Sequence, residues 1–225
     1  MTKPIDRAAF YLCLARAFLP PQDQPAYDAI KSHLADDLGE LADALGYPGS
    51  LALSELRRAI AGIPDRLALL QAYSRLFLAP PAPVKLNAGQ YLDGAVMGPA
   101  TAALENCYRA AGLARQESFH DLADHIALQL EFAAYLCASE GAGVDLALGA
   151  DDFLASFVRY WLPPFQTALE RACVDDPDAT VYLCLARLLQ AVVDNDLHDY
   201  RIRRGHAVRR KTPSRSPLFQ AKSAL

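Results

Sequence analysis

The chain of 225 residues has one tryptophan, two methionines and five cysteines. Cys13, Cys107, Cys137, Cys173 and Cys184 are odd in number and form no C-x-x-C pair, so neither a disulfide framework nor a zinc site is expected. They sit in apolar helical stretches, where buried, reduced thiols are the natural reading. No run of about 18 apolar residues occurs, so no transmembrane helix is expected. No secretory leader is expected either, because Met1-Thr-Lys-Pro-Ile-Asp6 leads into an amphipathic pattern rather than an apolar core. Together with the free thiols, this points to the cytoplasm. Enzyme signatures are also lacking: there is no G-x-x-x-x-G-K-[ST], no G-x-S-x-G and no H-E-x-x-H. Gly141-Ala-Gly143 closes a helical stretch instead of following a strand, which excludes a dinucleotide fingerprint.

No acid follows Asp199. Residues 1–200 carry 14 Lys and Arg against 26 Asp and Glu, a charge of −12, whereas residues 201–225 carry eight basic residues, a charge of +8. An acidic body favours basic partners. The basic segment lacks interleaved aromatics, so a nucleic-acid partner is not expected. The arginine pairs of that segment, followed by Pro217-Leu-Phe219, crudely resemble a basic-then-apolar peptide.

A hydrophobic fraction of 52% supplies a sizeable core, and the dominance of Ala and Leu over Val, Ile and Thr favours helices. Helical spacing marks residues 5–19, 24–45, 50–61, 65–78, 98–112, 121–136, 151–161, 165–173 and 178–198. Pro20-Pro21, the Gly46–Gly49 turn, Gly62-Ile-Pro64 and the three prolines of residues 79–90 separate them. Pro163-Pro164 is expected to kink or break the pattern at that point. Ser118, with Asp121 three residues on, reads as an N-cap for the 121–136 helix. The expected architecture is all-α: one helical-bundle domain over residues 1–200, followed by a basic, flexible tail over 201–225.

The 121–136 stretch is apolar on nearly every face yet carries Asp124, His125 and Glu131. Unpartnered polar groups in a core cost about 1–3 kcal/mol each. In an unbroken helix Asp124, Leu128, Glu131 and Tyr135 share a face, with the two acids about 10 Å apart along the axis. That separation is too wide for a general acid–base pair on one bond, but it suits two separate cationic groups of a peptide. The competing reading pairs both acids with internal cations and buries His125. Asp121 and His125, at i and i+4, are two potential metal ligands without a third. Tyr73, Phe77 and Tyr91 flank the proline-rich loop, which forms either a groove wall or a plain connection. The aromatic stretch Phe153–Phe165 suits core packing. An all-helical enzyme with a metal or small-molecule site in its core remains the alternative to a binding protein.

These three stretches, in this order, resemble the TorD/DmsD/NarJ family of redox-enzyme maturation chaperones, and most closely its TorD/DmsD-like branch. The resemblance rests on Tyr73–Tyr91, on Ala123-Asp-His-Ile-Ala-Leu-Gln-Leu-Glu-Phe132 and on Phe153–Phe165, and it spans residues 5–198. It implies an all-helical cytoplasmic chaperone without catalytic turnover and without a cofactor of its own. The implied partners are the twin-arginine signal peptide and the apo-form of a molybdenum-cofactor oxidoreductase, held back from export until the cofactor is loaded. By the same resemblance, signal-peptide recognition falls on Asp124, His125 and Glu131. Leu128, Tyr135, Tyr73, Phe77 and Tyr91 are the expected apolar contacts. A monomer or a dimer is compatible with the family. The chain departs from the family pattern at Ala123 (usually Pro), at Gln129 (commonly Glu) and in Lys85-Leu-Asn-Ala88, all of which bear on the identity of the client.

Overall fold

The computed structural model describes residues 4–116 and 119–211. Among them the chain is helical, and its only β-type contact is an isolated antiparallel bridge between Asn87 and His125. The helices are α1 (Pro4–Ala17), α2 (Gln24–Asp28), α3 (Leu34–Leu45), α4 (Ser50–Gly62), α5 (Arg66–Tyr73), α6 (Gly89–Leu92), α7 (Pro99–Ala110), α8 (Ile126–Gly141), α9 (Ala150–Phe153), α10 (Arg159–Asp175) and α11 (Thr180–Lys211). Wide π turns at Ala29–His33 and Leu154–Val158 join α2 to α3 and α9 to α10, and a third at Ser74–Leu78 extends α5.

Local chemistry sets most boundaries. Asp23 and Asp65 accept N–H bonds from Ala26 and Ala68 and so cap α2 and α5. Gly46 ends α3 in the left-handed region at φ +67°, and the Tyr47 N–H returns to the Ala42 carbonyl at 2.9 Å. Pro163 and Pro164 do not break α10, contrary to the sequence expectation. The carbonyls their missing N–H groups leave free belong to Arg159 and Tyr160, whose side chains are exposed, so water can reach that side of the helix.

Helix α1 lies along α8 in the most extensive interface, while α11 packs on α10 and α4. The core they enclose includes Phe10, Tyr11, Leu14, Trp161, Phe165 and Tyr182, all fully buried. A cation also sits inside it. Arg7 donates from Nε to Asp196 at 2.8 Å and from Nη2 to Asp151, while the Tyr11 and Tyr47 hydroxyls donate to the Asp196 carboxylate at 2.7 and 2.8 Å. Burial pushes the Asp196 pKa upward, and Arg7 and the two phenols work against that shift. The internal ion pair anticipated for the acids of 121–136 therefore exists, but between other residues.

Helix α11 continues thirteen residues past its expected end at His198. Arg203 and Arg204 reach back to Asp151 and Asp152 at the start of α9, and the Tyr200 hydroxyl donates to Asp152. The first eleven residues of the basic segment are thus helical, and residues 212–225 lie outside the described part. No helix among the described residues is long and apolar enough to cross a membrane.

Candidate functional site

The helix bearing the candidate acids starts at Ile126, not at Asp121. Ser118 lies outside the described residues. The cap is instead His125, whose Nδ1 accepts the Ala127 N–H at 3.1 Å. Asp124 consequently sits in the connection before α8 and does not share a face with Leu128, Glu131 and Tyr135. Its position comes from tertiary pairing. The Ile126 N–H donates to the Leu86 carbonyl at 2.8 Å, and the Ala88 N–H donates to the Asp124 carbonyl at 2.9 Å. The Asp124 carboxylate, fully buried, accepts from the Gly89 N–H at 2.9 Å and from the Asn87 amide at 3.2 Å. Asp124 therefore clips the proline-rich loop to the entrance of α8.

Gly89 is required for that clip. A Cβ there would lie 2.7 Å from the Asp124 carboxylate and 2.9 Å from the Ala95 carbonyl. Gln129, where the resemblance anticipates a Glu, is also fully buried. Its amide donates to the Asp124 carbonyl at 2.9 Å and accepts from the Trp161 indole at 2.8 Å. A side chain that both donates and accepts is what this position uses, so the missing charge is not missing from a groove.

Of the aromatic candidates of the loop, Tyr73 and Phe77 are buried and Tyr91 is half-buried. Tyr73 and Phe77 stack edge-on with each other and with Tyr182, and the Tyr73 hydroxyl donates to the Phe18 carbonyl. Tyr91 packs against Phe165, and its hydroxyl both donates to the Lys85 carbonyl and accepts the Lys85 N–H. Burial pushes the Tyr91 pKa up to about 12, against the lowering effect of the Lys85 backbone. His125 is buried, with its Nε2 4.0 Å from Asp121; burial lowers its pKa, while Asp121 and Asp124 oppose that shift. Of the eight candidate residues, five serve as framework: Asp124, His125, Tyr73, Phe77 and Tyr91.

The other three come together as helical phase predicts. Leu128, Glu131 and Tyr135 line a groove of about 330 Å³ on the outer side of α8. Its far wall is formed by Tyr108, Leu113 and Phe119, and Phe132 lies at its base. A smaller recess of about 60 Å³ adjoins it toward α1, between Leu12, Ala15, Leu19 and Ala127. Glu131 is exposed and has no hydrogen-bond or ion-pair partner among the described residues. The wall residues Tyr108, Leu113 and Phe119 and the α1 residues Leu12, Arg16 and Leu19 escape sequence reasoning. Their spacing is that of ordinary core helix positions, and only tertiary folding brings them to α8. No cluster of metal-ligating side chains occurs among the described residues.

A family model described as nitrate reductase delta subunit matches residues 28–167, a span containing the clip, the proline-rich loop and the α8 wall of the groove. The chain belongs to this family. Relatives of the same NarJ/TorD type include a protein named chaperone protein TorD from Vibrio cholerae serotype O1 strain O395. It is 30% identical over 207 residues, covering 85% of this chain and 90% of the relative. A second protein of that name, from strain M66-2, is 31% identical over 118 residues, covering 49% of this chain and 52% of that one. The TorD-type chain is thus a redox-enzyme maturation chaperone and not an enzyme. For a TorD-type chaperone the functional element to look for is a surface that holds another polypeptide, and the α8 groove has the form of one.

Proposed function

We propose that this chaperone acts in the cytoplasm on the apo-form of a molybdenum-cofactor oxidoreductase, binding its twin-arginine signal peptide, its body, or both. In this reading it supports cofactor loading and delays export. The observation that carries the proposal is the pairing of an apolar groove with one unpartnered carboxylate, Glu131, at its centre. A twin-arginine leader offers the complement, guanidinium groups followed by an apolar stretch. Glu131 makes a charge-assisted bond to a guanidinium, and Leu128, Tyr135 and their opposite wall cover apolar side chains. The acidic body draws the basic peptide in.

The test is fluorescence anisotropy with a labelled twin-arginine leader peptide. Glu131→Lys should weaken binding at least tenfold at low salt, and raising ionic strength should weaken the wild-type complex. Binding that is indifferent both to Glu131→Lys and to salt would remove this assignment. Asp124→Asn, by contrast, acts through the loop it clips, so its effect on affinity should scale with its effect on stability.

A further inference from the structure

The groove on α8 consists of two unequal cavities, and Phe119 stands between them. Its ring lines both, together with Leu128 and Glu131. It is braced from behind by His125, with ring centroids 5.4 Å apart at 81°. His125 is itself anchored by the Ala127 N–H at the first turn of α8. The partition therefore rests on a buried support rather than on the solvent side.

The chemistry changes across it. The recess of about 60 Å³ has room for about four water-sized groups, enough for a compact side chain such as leucine. The cavity of about 330 Å³ is walled by rings and admits bulky groups. At the junction stands the exposed Glu131 carboxylate. Of the two cations on the groove walls, Arg115 lines the large cavity and is engaged with the Asp121 carbonyl, and Arg16 borders only the small recess and makes no ion pair among the described residues. Leu128 and Tyr135 are seven residues apart, about 10 Å along the axis. An extended peptide covers that distance in about three residues.

We infer that Phe119 is a specificity-determining partition that makes the groove read a three-part pattern in a peptide: a compact apolar side chain, a cation, and a bulky apolar or aromatic side chain. The occupant is an extended, basic-apolar segment of a client polypeptide, because apolar cavities on both sides of one unpaired carboxylate match side chains presented at intervals along a strand. This inference rests on the peptide-binding reading above and refines it.

The experiment uses the full chain and synthetic fluorescein-labelled twin-arginine peptides in which the residue on either side of the arginine pair is set in turn to Ala, Leu or Trp. In the wild type, Trp on one flank should weaken binding at least tenfold, while Trp on the other flank should be accepted. Phe119→Ala should reduce the first penalty to less than threefold and keep the preference for Arg over Gln. Glu131→Gln should do the reverse, losing the charge preference and keeping the size ranking. Phe119→Leu, which keeps a smaller partition, should fall between. Circular dichroism confirms that each variant is folded. An unchanged size ranking in folded Phe119→Ala overturns the partition alone. Failure of the wild type to bind any of the peptides overturns the peptide-binding reading and the partition with it.

Discussion

Asp124 illustrates how a buried carboxylate can set the course of a loop and the start of a helix without lining the groove beside them. Its carboxylate accepts the Gly89 N–H in a place closed to water and the Asn87 amide at the half-buried edge of that place. Asp124→Ala strands the buried Gly89 N–H, whereas the Asn87 amide keeps its second acceptor, Asp121, at 2.9 Å; the loss should be about 1–3 kcal/mol, measured by urea denaturation. Gly89→Ala should cost a similar amount from the opposite side, since the new methyl group displaces the same carboxylate. The two losses should be less than additive in the double variant, because both break the Gly89–Asp124 contact while the clash with the Ala95 carbonyl remains. Sequence reasoning correctly picked out Asp124 as an anomaly in an apolar run. It could not separate a buried clip from a groove lining, because its partners lie some 35 residues upstream.

At the scale of the element, α8 shows both the reach and the limit of periodicity. The stripe of Ile126, Leu130, Ala133 and Cys137 is buried, and Leu128, Glu131 and Tyr135 face outward as their phase requires. The helix start was not legible. Residues 121–125 carry a helical pattern, but the backbone of Asp124 and Ile126 pairs with Ala88 and Leu86 and His125 caps the helix that follows. The capping His125 makes this start pH-sensitive. Burial holds its folded pKa below the unfolded value of 6.5, so the unfolded chain takes up the proton first. The stabilisation is present above pH 6.5 and is lost as pH falls through that value toward the folded pKa. Protonation also removes the lone pair that accepts the Ala127 N–H. Thermal midpoints should therefore decline below about pH 6.5, and His125→Asn, which keeps a capping acceptor without titrating, should flatten the decline. The extension of α11 was likewise missed, because the acids that receive Arg203 and Arg204 lie about fifty residues earlier.

For the whole molecule, the Ala and Leu bias, helical spacing and punctuation by proline and glycine were enough to indicate an all-α architecture, although α6 and the division of residues 24–45 were missed. The ionic centre of the core was not visible. Arg7 looks like one more polar position on an amphipathic first helix until Asp196 is folded against it. Arg7→Ala leaves the Asp196 charge buried without its cation and should cost about 3–5 kcal/mol in chemical denaturation. Exchanging Arg7 and Asp196 together for apolar residues of similar volume should cost much less, because no lone charge then remains. If both variants were equally stable, the buried pair would not be the reason that α1 and α11 stay together.

The Arg7–Asp196 contact joins residues 189 positions apart in the chain. During synthesis α1 leaves the ribosome well before α11, so this closure waits until residue 196 has emerged. The small recess of the groove is built partly from α1, the same helix that Asp196 secures. A nascent chaperone stalled before residue 196 should therefore lack a competent peptide surface. On the peptide-binding reading, engagement of a client waits for residue 196 to emerge, a built-in delay that ribosome-arrested chains of graded length would expose.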